Sequence, residues 1–411
     1  MGEISGEYEV VVVGGGIMGS CTAYQIAKRA KSVLLLDQYD FLHHRGSSHG
    51  ESRTIRQTYP EEYYSAMLDE AFSLWEEAQE EIGYRMHVKT KHLDMGSIQN
   101  KKLQSIIQVC RKRGIPIEVL NSEQVSERFK VIKVPSDWIG VVTDIGGTLR
   151  ASKAVATFQS LALKHGATLR DNAKVTEISI GCKLRDGSDG VLVCTTRGSV
   201  LGRKCVIAAG AWSQKLANEI SGIELPIQPL HTTIAYWKIQ EGLQSFLPEN
   251  GFPTFAFHGD PTIYGTPSLE YPGLFKVSVD GGYPCDPEKR AFLPDLDLLR
   301  EKVSPWLAES FRGNVMSESP VIAEACMYSM TPDEDYILDF LPLTKTEMST
   351  AAKSPILIAA GFSGHGFKMS PLVGRIMADL ALTGEAHGVP LHNFSIERFL
   401  QNPKGNTKDY E

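Results

Sequence analysis

The chain opens with an apolar run, "YEVVVV", that passes directly into "GGGIMGS"; Ala23, Ile26 and Ala27 then recur at helical spacing, and Val33 to Leu36 form a second apolar run. This order predicts strand, glycine turn, helix and strand, a single βαβ unit. From Glu61 to Ile82, the residues Met67, Ala71, Leu74, Trp75, Ala78 and Ile82 share one helical face with Glu and Gln between them, which predicts an amphipathic surface helix. The stretch "SKAVATFQSLALKHG" predicts another helix, with Ser152 as its N-cap and Gly166 as its C-cap. Short apolar pieces at "AKVTEISI", "GVLVCTT" and "KCVIAAGAW" predict a small sheet that returns to the first unit.

Between Pro226 and about Pro320 the pattern changes to aromatic, Pro-rich and Gly-rich strands, among them "HTTIAYWKI", "GFPTFAF", "PTIYGTP" and "GLFKVSVDGG", which predict an antiparallel second domain. The chain then returns to an apolar strand, a glycine turn and a helix in "PILIAAGFSGHGFKMSPLVGRIMADLAL". The domains are therefore expected to interleave. Residues 1–83, 144–222 and 321–411 are assigned to a dinucleotide-binding domain, and 84–143 and 223–320 to a substrate domain.

A length of 411 residues exceeds what one core usually fills, in keeping with two domains. No apolar run approaches the roughly 18 residues that span a bilayer, so no membrane partner is expected. A net charge of −7 gives no general attraction to phosphate backbones, which excludes nucleic acid as a partner. The opening "MGEISGEYEV" lacks a basic region and the closing "NTKDYE" lacks an SKL-type address, so the expected location is the cytoplasm. Seven cysteines without a CxxC pair fit neither a zinc cage nor a disulfide framework, and no metal is expected. For each of them, Cys326 included, a small buried thiol is the plain reading.

Gly14, Gly16 and Gly19 form GxGxxG directly after a strand and at the opening of a helix, the context a pyrophosphate needs. Asp37 ends the second strand, where a carboxylate accepts from ribose hydroxyls. The motif alone leaves NAD and FAD both open. "RGSSHGESRTIRQTY" places Arg45, His49, Arg53 and Arg56 in one loop, either a solvated basic loop or one that meets an anion or a flavin. "GFSGHGFKMS" sets Gly361, Gly364 and Gly366 with His365 and Lys368 before a helix, either a plain turn or a cradle for a ring bearing negative charge.

Together, "VVVVGGGIMGS", "FLHHRGSSHGESRTIR", "VIAAGAW", "IYGTPSLEYPGLFKV", "CMYSMTPDED" and "GFSGHGFK" carry a resemblance over essentially the whole chain. The chain resembles the monomeric sarcosine oxidase and pipecolate oxidase family of FAD-dependent amine oxidases, its plant members most of all. The resemblance implies an α/β fold: a Rossmann-like, glutathione-reductase-type FAD-binding domain with an interleaved α+β substrate domain on a mixed or antiparallel sheet. It implies a monomer that oxidises a small-molecule secondary or N-methyl amino acid to an imine, with O2 reduced to H2O2. A bulkier cyclic or alkaloid-type amine, oxidised or N-demethylated, is the alternative substrate, and a flavin-binding scaffold without catalysis is the alternative from another class.

By resemblance, Cys326 carries the flavin covalently through its 8α-methyl group. Arg56 and Lys368 grip the substrate carboxylate, Lys276 activates oxygen as a fixed positive charge, Tyr264 lines the substrate site, and Arg53 and His49 flank the isoalloxazine. The FAD contacts implied are Gly14, Gly16, Ile17, Met18, Gly19, Asp37, Gln38, Ser47, Ser48, Arg53, Val175, Gly210, Trp212, Cys326, Met327, Gly361, Gly364, His365, Gly366, Phe367 and Lys368. One position departs from the family pattern: Asp280 stands where that pattern has a histidine four residues after the lysine. An ionised carboxylate there favours the ammonium form of the substrate and opposes chemistry unless it takes the proton. Partial burial would raise the pKa of Asp280 and make it a base or a neutral donor; the alternative is that Asp280 turns away and merely shapes the strand end.

Overall fold

The computed structural model describes residues 4–344 and 353–410. Strand Ile4–Val13 lies between the parallel strands Val33–Leu36 and Gly198–Ile207, and Thr168–Arg170 and Ile356–Ala360 extend the sheet in parallel on either side. Val10 and Val12 enter one apolar cluster while Val11 and Val13 enter another, so the run is apolar throughout because both sheet faces are buried. The first of these clusters is completed by helices Ile17–Ala27, Glu62–Ile82, Ala151–Lys164 and Ser370–Thr383. The pieces Val175–Lys183 and Asp189–Thr195 form a meander that runs antiparallel into Gly198–Ile207, as predicted.

A second, ten-stranded sheet packs its back face on Leu93, Met95, Phe255, Ile263, Phe275 and Val277, closed by helices Leu296–Lys302 and Ser304–Phe311. The strands alternate, so the intervening residues point to the opposite face. That front face looks toward the dinucleotide sheet and carries Lys276 and Ser278 on one strand, Tyr264 and Thr266 on the next, then Thr254 and Ala256, then His92 and Asp94.

Three expectations change. The second sheet is mixed, as the family resemblance implies, and not purely antiparallel as the strand pattern alone predicts, because Thr254–Phe257 pairs in parallel with His87–Ser97. Arg53–Arg56 and Ile322–Met330, and all of Trp138–Leu149, hydrogen-bond within the second sheet, although the boundaries drawn from sequence place the first two and the end of the third in the dinucleotide domain. Their partners lie far away in the chain, so their lengths and patterns did not reveal the sheet they join. Ser152 is inside its helix rather than capping it, and its hydroxyl donates to the Gly50 carbonyl at 2.9 Å. Among the described residues, no helix is long and apolar enough to cross a membrane.

Candidate active site

A cavity of about 560 Å³ runs from the first glycine turn to the front face of the second sheet. At the glycine end, Gly14 adopts φ +112°, and a Cβ there would collide with the Ala208 carbonyl. The Asp37 carboxylate is held by two backbone N–H groups, Gly15 donating to Oδ2 at 2.7 Å and Tyr39 to Oδ1 at 2.8 Å. Its outer lone pairs stay available to the cavity it lines. Ser48 Oγ accepts the Ile17 N–H at the helix start, 3.0 Å away.

In the middle, Arg53 ties the basic loop together. Its guanidinium donates to the carbonyls of Ser52 (2.8 Å), Ser47 (3.0 Å) and His49 (2.8 Å) and lies 4.0 Å from Cys326 Sγ. Ser47 Oγ donates to the Met327 carbonyl at 2.6 Å, joining the loop to the strand that carries Cys326. Cys326 is 3% exposed. Burial pushes its thiol up, but His49 and then Arg53 outweigh burial and hold it at about 6. Burial pulls His49 down, but Cys326 and Glu324 outweigh it and lift the imidazole to about 9; Glu324 Oε2 lies 3.5 Å from Nδ1. These shifts favour a thiolate beside an imidazolium, with both ring nitrogens of His49 free of hydrogen bonds among the described residues, whereas Cys21, Cys110 and Cys205 are pushed up by burial.

At the far end, the Lys368 amine donates to Tyr59 Oη (3.1 Å) and the His365 carbonyl (2.9 Å), and the Arg56 guanidinium sits 4.6 Å over the Tyr59 ring. Burial, then the Arg56 charge, hold Lys368 well below the ordinary lysine range. Among the described residues, Arg56 Nη1 is buried without a hydrogen-bond partner. Lys276 is 1% exposed, donates to the Ser52 carbonyl at 2.8 Å and lies 5.7 Å from the centre of the Tyr264 ring. Burial, then the Arg53 charge, pull Lys276 down to about 7. The fixed positive charge expected there is instead one that titrates near neutrality. Asp280 lines the cavity at its strand end but is exposed, so the expected partial burial is absent.

Every site residue predicted from sequence lines this cavity except Gly19, Gly361 and, in the basic loop, Arg45, whose guanidinium lies over the Tyr39 and Phe292 rings. A Cβ at Gly19 would strike the Gly14 carbonyl, so Gly19 serves close helix packing. Gly361 turns the chain at φ +65° against Thr331. The structure adds His92 and His258, which line the cavity, with Asp94 hydrogen-bonded to His258 behind them; Tyr59 and Tyr328 also belong to the site. Alternation in "TKHLDMG" and "TFAFH" carries the signal for the first three: His92, Asp94 and His258 interrupt apolar residues at every second position.

Residues 9–380 match the family described as FAD dependent oxidoreductase. The chain belongs to this family. It is 51% identical over 98% of its length to a probable sarcosine oxidase of Arabidopsis thaliana, covering 96% of that protein. It is 36% identical over 91% of its length to the peroxisomal sarcosine oxidase of Homo sapiens, covering 92% of it. The solved structure of NikD, an unusual amino acid oxidase essential for nikkomycin biosynthesis, matches with a TM-score of 0.81 at 25% identity, over 95% of this chain and 98% of that one. As an FAD-dependent oxidoreductase acting on CH–NH groups, the chain presents residues that fit the cofactor. A Cβ at Gly16 would approach Ser48 Oγ at 3.0 Å, in the turn where a pyrophosphate approaches the helix N-terminus. Trp212 Nε1 is a buried donor on the cavity wall without a partner among the described residues.

The Cys326–His49 pair is testable in the flavin-free oxidoreductase by alkylation with iodoacetamide, read on the Cys326 peptide by mass spectrometry. Half-maximal reactivity is expected near pH 6. In His49→Gln the midpoint moves up toward the ordinary thiol range of about 8.5. An unchanged midpoint removes His49 from the account of this thiol.

Proposed function

We propose that this oxidoreductase is an amine oxidase that converts a secondary or N-methyl amino acid to its imine, which hydrolyses, while O2 is reduced to H2O2, and that it works as a monomer in the cytoplasm. The observation that carries the reading is the convergence of the half-buried Arg56 guanidinium and the buried Lys368 amine on Tyr59 in one cavity, with Arg56 Nη1 left unpaired among the described residues. Such a pair favours an anion, and a carboxylate matches the planar fork of Arg56. The names borne by the Arabidopsis and human relatives support an N-methyl amino acid as the class.

FAD, when bound, would supply the acceptor for the two electrons removed at the C–N bond. The turn at Gly14 and Gly16 receives the pyrophosphate and Asp37 the ribose. Cys326, ionised against His49, is the nucleophile placed to hold the flavin by a thioether. Arg53 anchors the loop beside that sulfur, and Lys276 presents a proton and a charge from the sheet floor. Tyr264 and Asp280 share the front face with Lys276. An exposed carboxylate at Asp280 draws the substrate ammonium while Arg56 and Lys368 take its carboxylate, so both ends of an amino acid meet opposite charge. With Asp280 in place of an imidazole, a bulkier cyclic amino acid is the second reading.

Mixed anaerobically with sarcosine or L-pipecolate, the native protein should lose its yellow colour, and air should restore it with one peroxide per turnover. N-methylbenzylamine, which lacks the carboxylate, should react at least about 100-fold more slowly. No bleaching by either amino acid overturns the reading. Acid-precipitated native protein should stay yellow and Cys326→Ser should release its colour; a colourless native pellet contradicts the tether. Lys276 is protonated below about 7 and neutral above it, so reoxidation of the reduced protein by oxygen should slow as pH rises through that value. Stopped-flow reoxidation that is flat with pH in the native protein, or sloped equally in Lys276→Met, excludes this role.

A further inference from the structure

On the front face of the second sheet, Asp94 Oδ1 accepts from His258 Nε2 at 2.9 Å and lies 3.4 Å from His92 Nε2. Burial pushes the Asp94 carboxyl up, but His92, His258 and Arg56 outweigh it and hold it well below the ordinary carboxylate range. With Asp94 accepting, the Nε2 facing it is the nitrogen that donates, and in that tautomer of His258 the lone pair lies on Nδ1. Among the described residues, that Nδ1 has no hydrogen-bond partner, and His258 lines the cavity while only 7% exposed. His92 differs: its Nδ1 lies 2.9 Å from Thr254 Oγ1, and its Nε2, 3.4 Å from Asp94 Oδ1, is buried without a hydrogen-bond partner among the described residues.

The backbone of His258 is fixed on both sides. Its N–H donates to the Met95 carbonyl at 2.7 Å, and its carbonyl accepts from Asn100 Nδ2 at 3.1 Å. Register places it beside the substrate end: Ala256 lies opposite Tyr264 on one side and Asp94 on the other, and Asp280 N–H donates to the Thr262 carbonyl on the strand between. Asp280 is exposed, whereas His258 is shielded and has a buried carboxylate behind it.

An amino acid arrives with a protonated nitrogen, and its C–N bond gives up electrons only from the free amine. We propose that His258, aligned by Asp94, accepts the ammonium proton of the substrate; this rests on the amino acid oxidase reading given above. The substrate N–H bond breaks and its electron pair stays on nitrogen. A new N–H bond forms from the Nδ1 lone pair, and the resulting imidazolium is balanced by Asp94. No oxidant is consumed in this step. Asp280 gathers the cation and His258 takes its proton. Asp94 and Asp280 favour the imidazolium, while Arg56, Lys102 and any protonation of His92 oppose it. The arrangement is the carboxylate–imidazole pair that general bases use, worth about 10²- to 10⁴-fold in rate.

The test is the pH profile of kcat/KM for sarcosine and L-pipecolate, measured on fully flavinated native protein, His258→Gln and Asp94→Asn, each checked by flavin content and visible spectrum. The native profile should rise to a plateau well below the ionisation of the substrate amine. His258→Gln should fall about 100-fold at neutral pH and climb about tenfold per pH unit until the substrate loses its own proton, with added imidazole restoring part of the loss. Asp94→Asn should keep the plateau at a lower rate and shift its acid limb to lower pH, since the imidazolium loses its counter-charge. A His258→Gln profile of native shape, whether at the native rate or uniformly lowered, overturns the proposal while the oxidase reading stands. A native protein that neither amino acid bleaches overturns both.

Discussion

Three side chains able to carry positive charge are drawn into one cavity, and the arrangement of both sheets follows from what holding them there requires. Arg56, Lys276 and Lys368 converge there, and two of the three are lysines at 7% exposure or less. Removing an ion from water costs several kcal/mol even after relaxation. The displacement of Lys276 from the ordinary lysine value to about 7 corresponds to roughly 5 kcal/mol net against its charged form, from burial first and then from Arg53. The protein offsets it with oriented acceptors: the Ser52 carbonyl for Lys276, and the His365 carbonyl and Tyr59 hydroxyl for Lys368. Asp94 supplies one compensating charge behind Arg56. What is left over among the described residues is the buried, unpaired Arg56 Nη1, a donor that suits the proposed carboxylate-bearing substrate.

Meeting it takes both sheets. Ser52 and Arg56 come from the segment that leaves the dinucleotide sheet and joins the second one, His365 and Lys368 from the turn before helix Ser370–Thr383, and Lys276 from the floor. Cys326 belongs to the second sheet, yet its strand is joined through Met327 to Ser47 in the loop after the first βαβ unit. The proposed flavin tether and the proposed carboxylate clamp therefore span the same junction. Tyr328 fits against that junction because Gly364 has no side chain: a Cβ there would approach the ring at 2.7 Å.

Much of this was legible in sequence because it rests on local pattern. The strand, glycine turn and helix at residues 4–27 follow from an apolar run, a positive φ at Gly14 and helical spacing. The returning turn at Gly364 was legible for the same reason. Pairing between distant strands was not: Arg53–Arg56 reads as a basic loop until Gly146 to Leu149 are set beside it. Burial was not legible either. Lys276 sits in an alternating strand, and alternation says only that it faces away from Val277; whether that face meets water or a second sheet is decided by tertiary packing. The same limit hid Asp94 and His258, whose contact joins strands that are 164 residues apart in the chain. Asp280 shows the converse, since the departure was plain in the sequence and the assumption about its burial was not met.

The central claim, that the buried cations form a carboxylate site against the flavin, is tested most directly by titrating the oxidised native protein with acetate while recording the flavin's visible spectrum. The account predicts a saturable spectral change, absent with methylammonium, whose dissociation constant rises at least about tenfold in Arg56→Ala. A spectrum indifferent to acetate, or an affinity for it that Arg56→Ala leaves unchanged, would contradict the account.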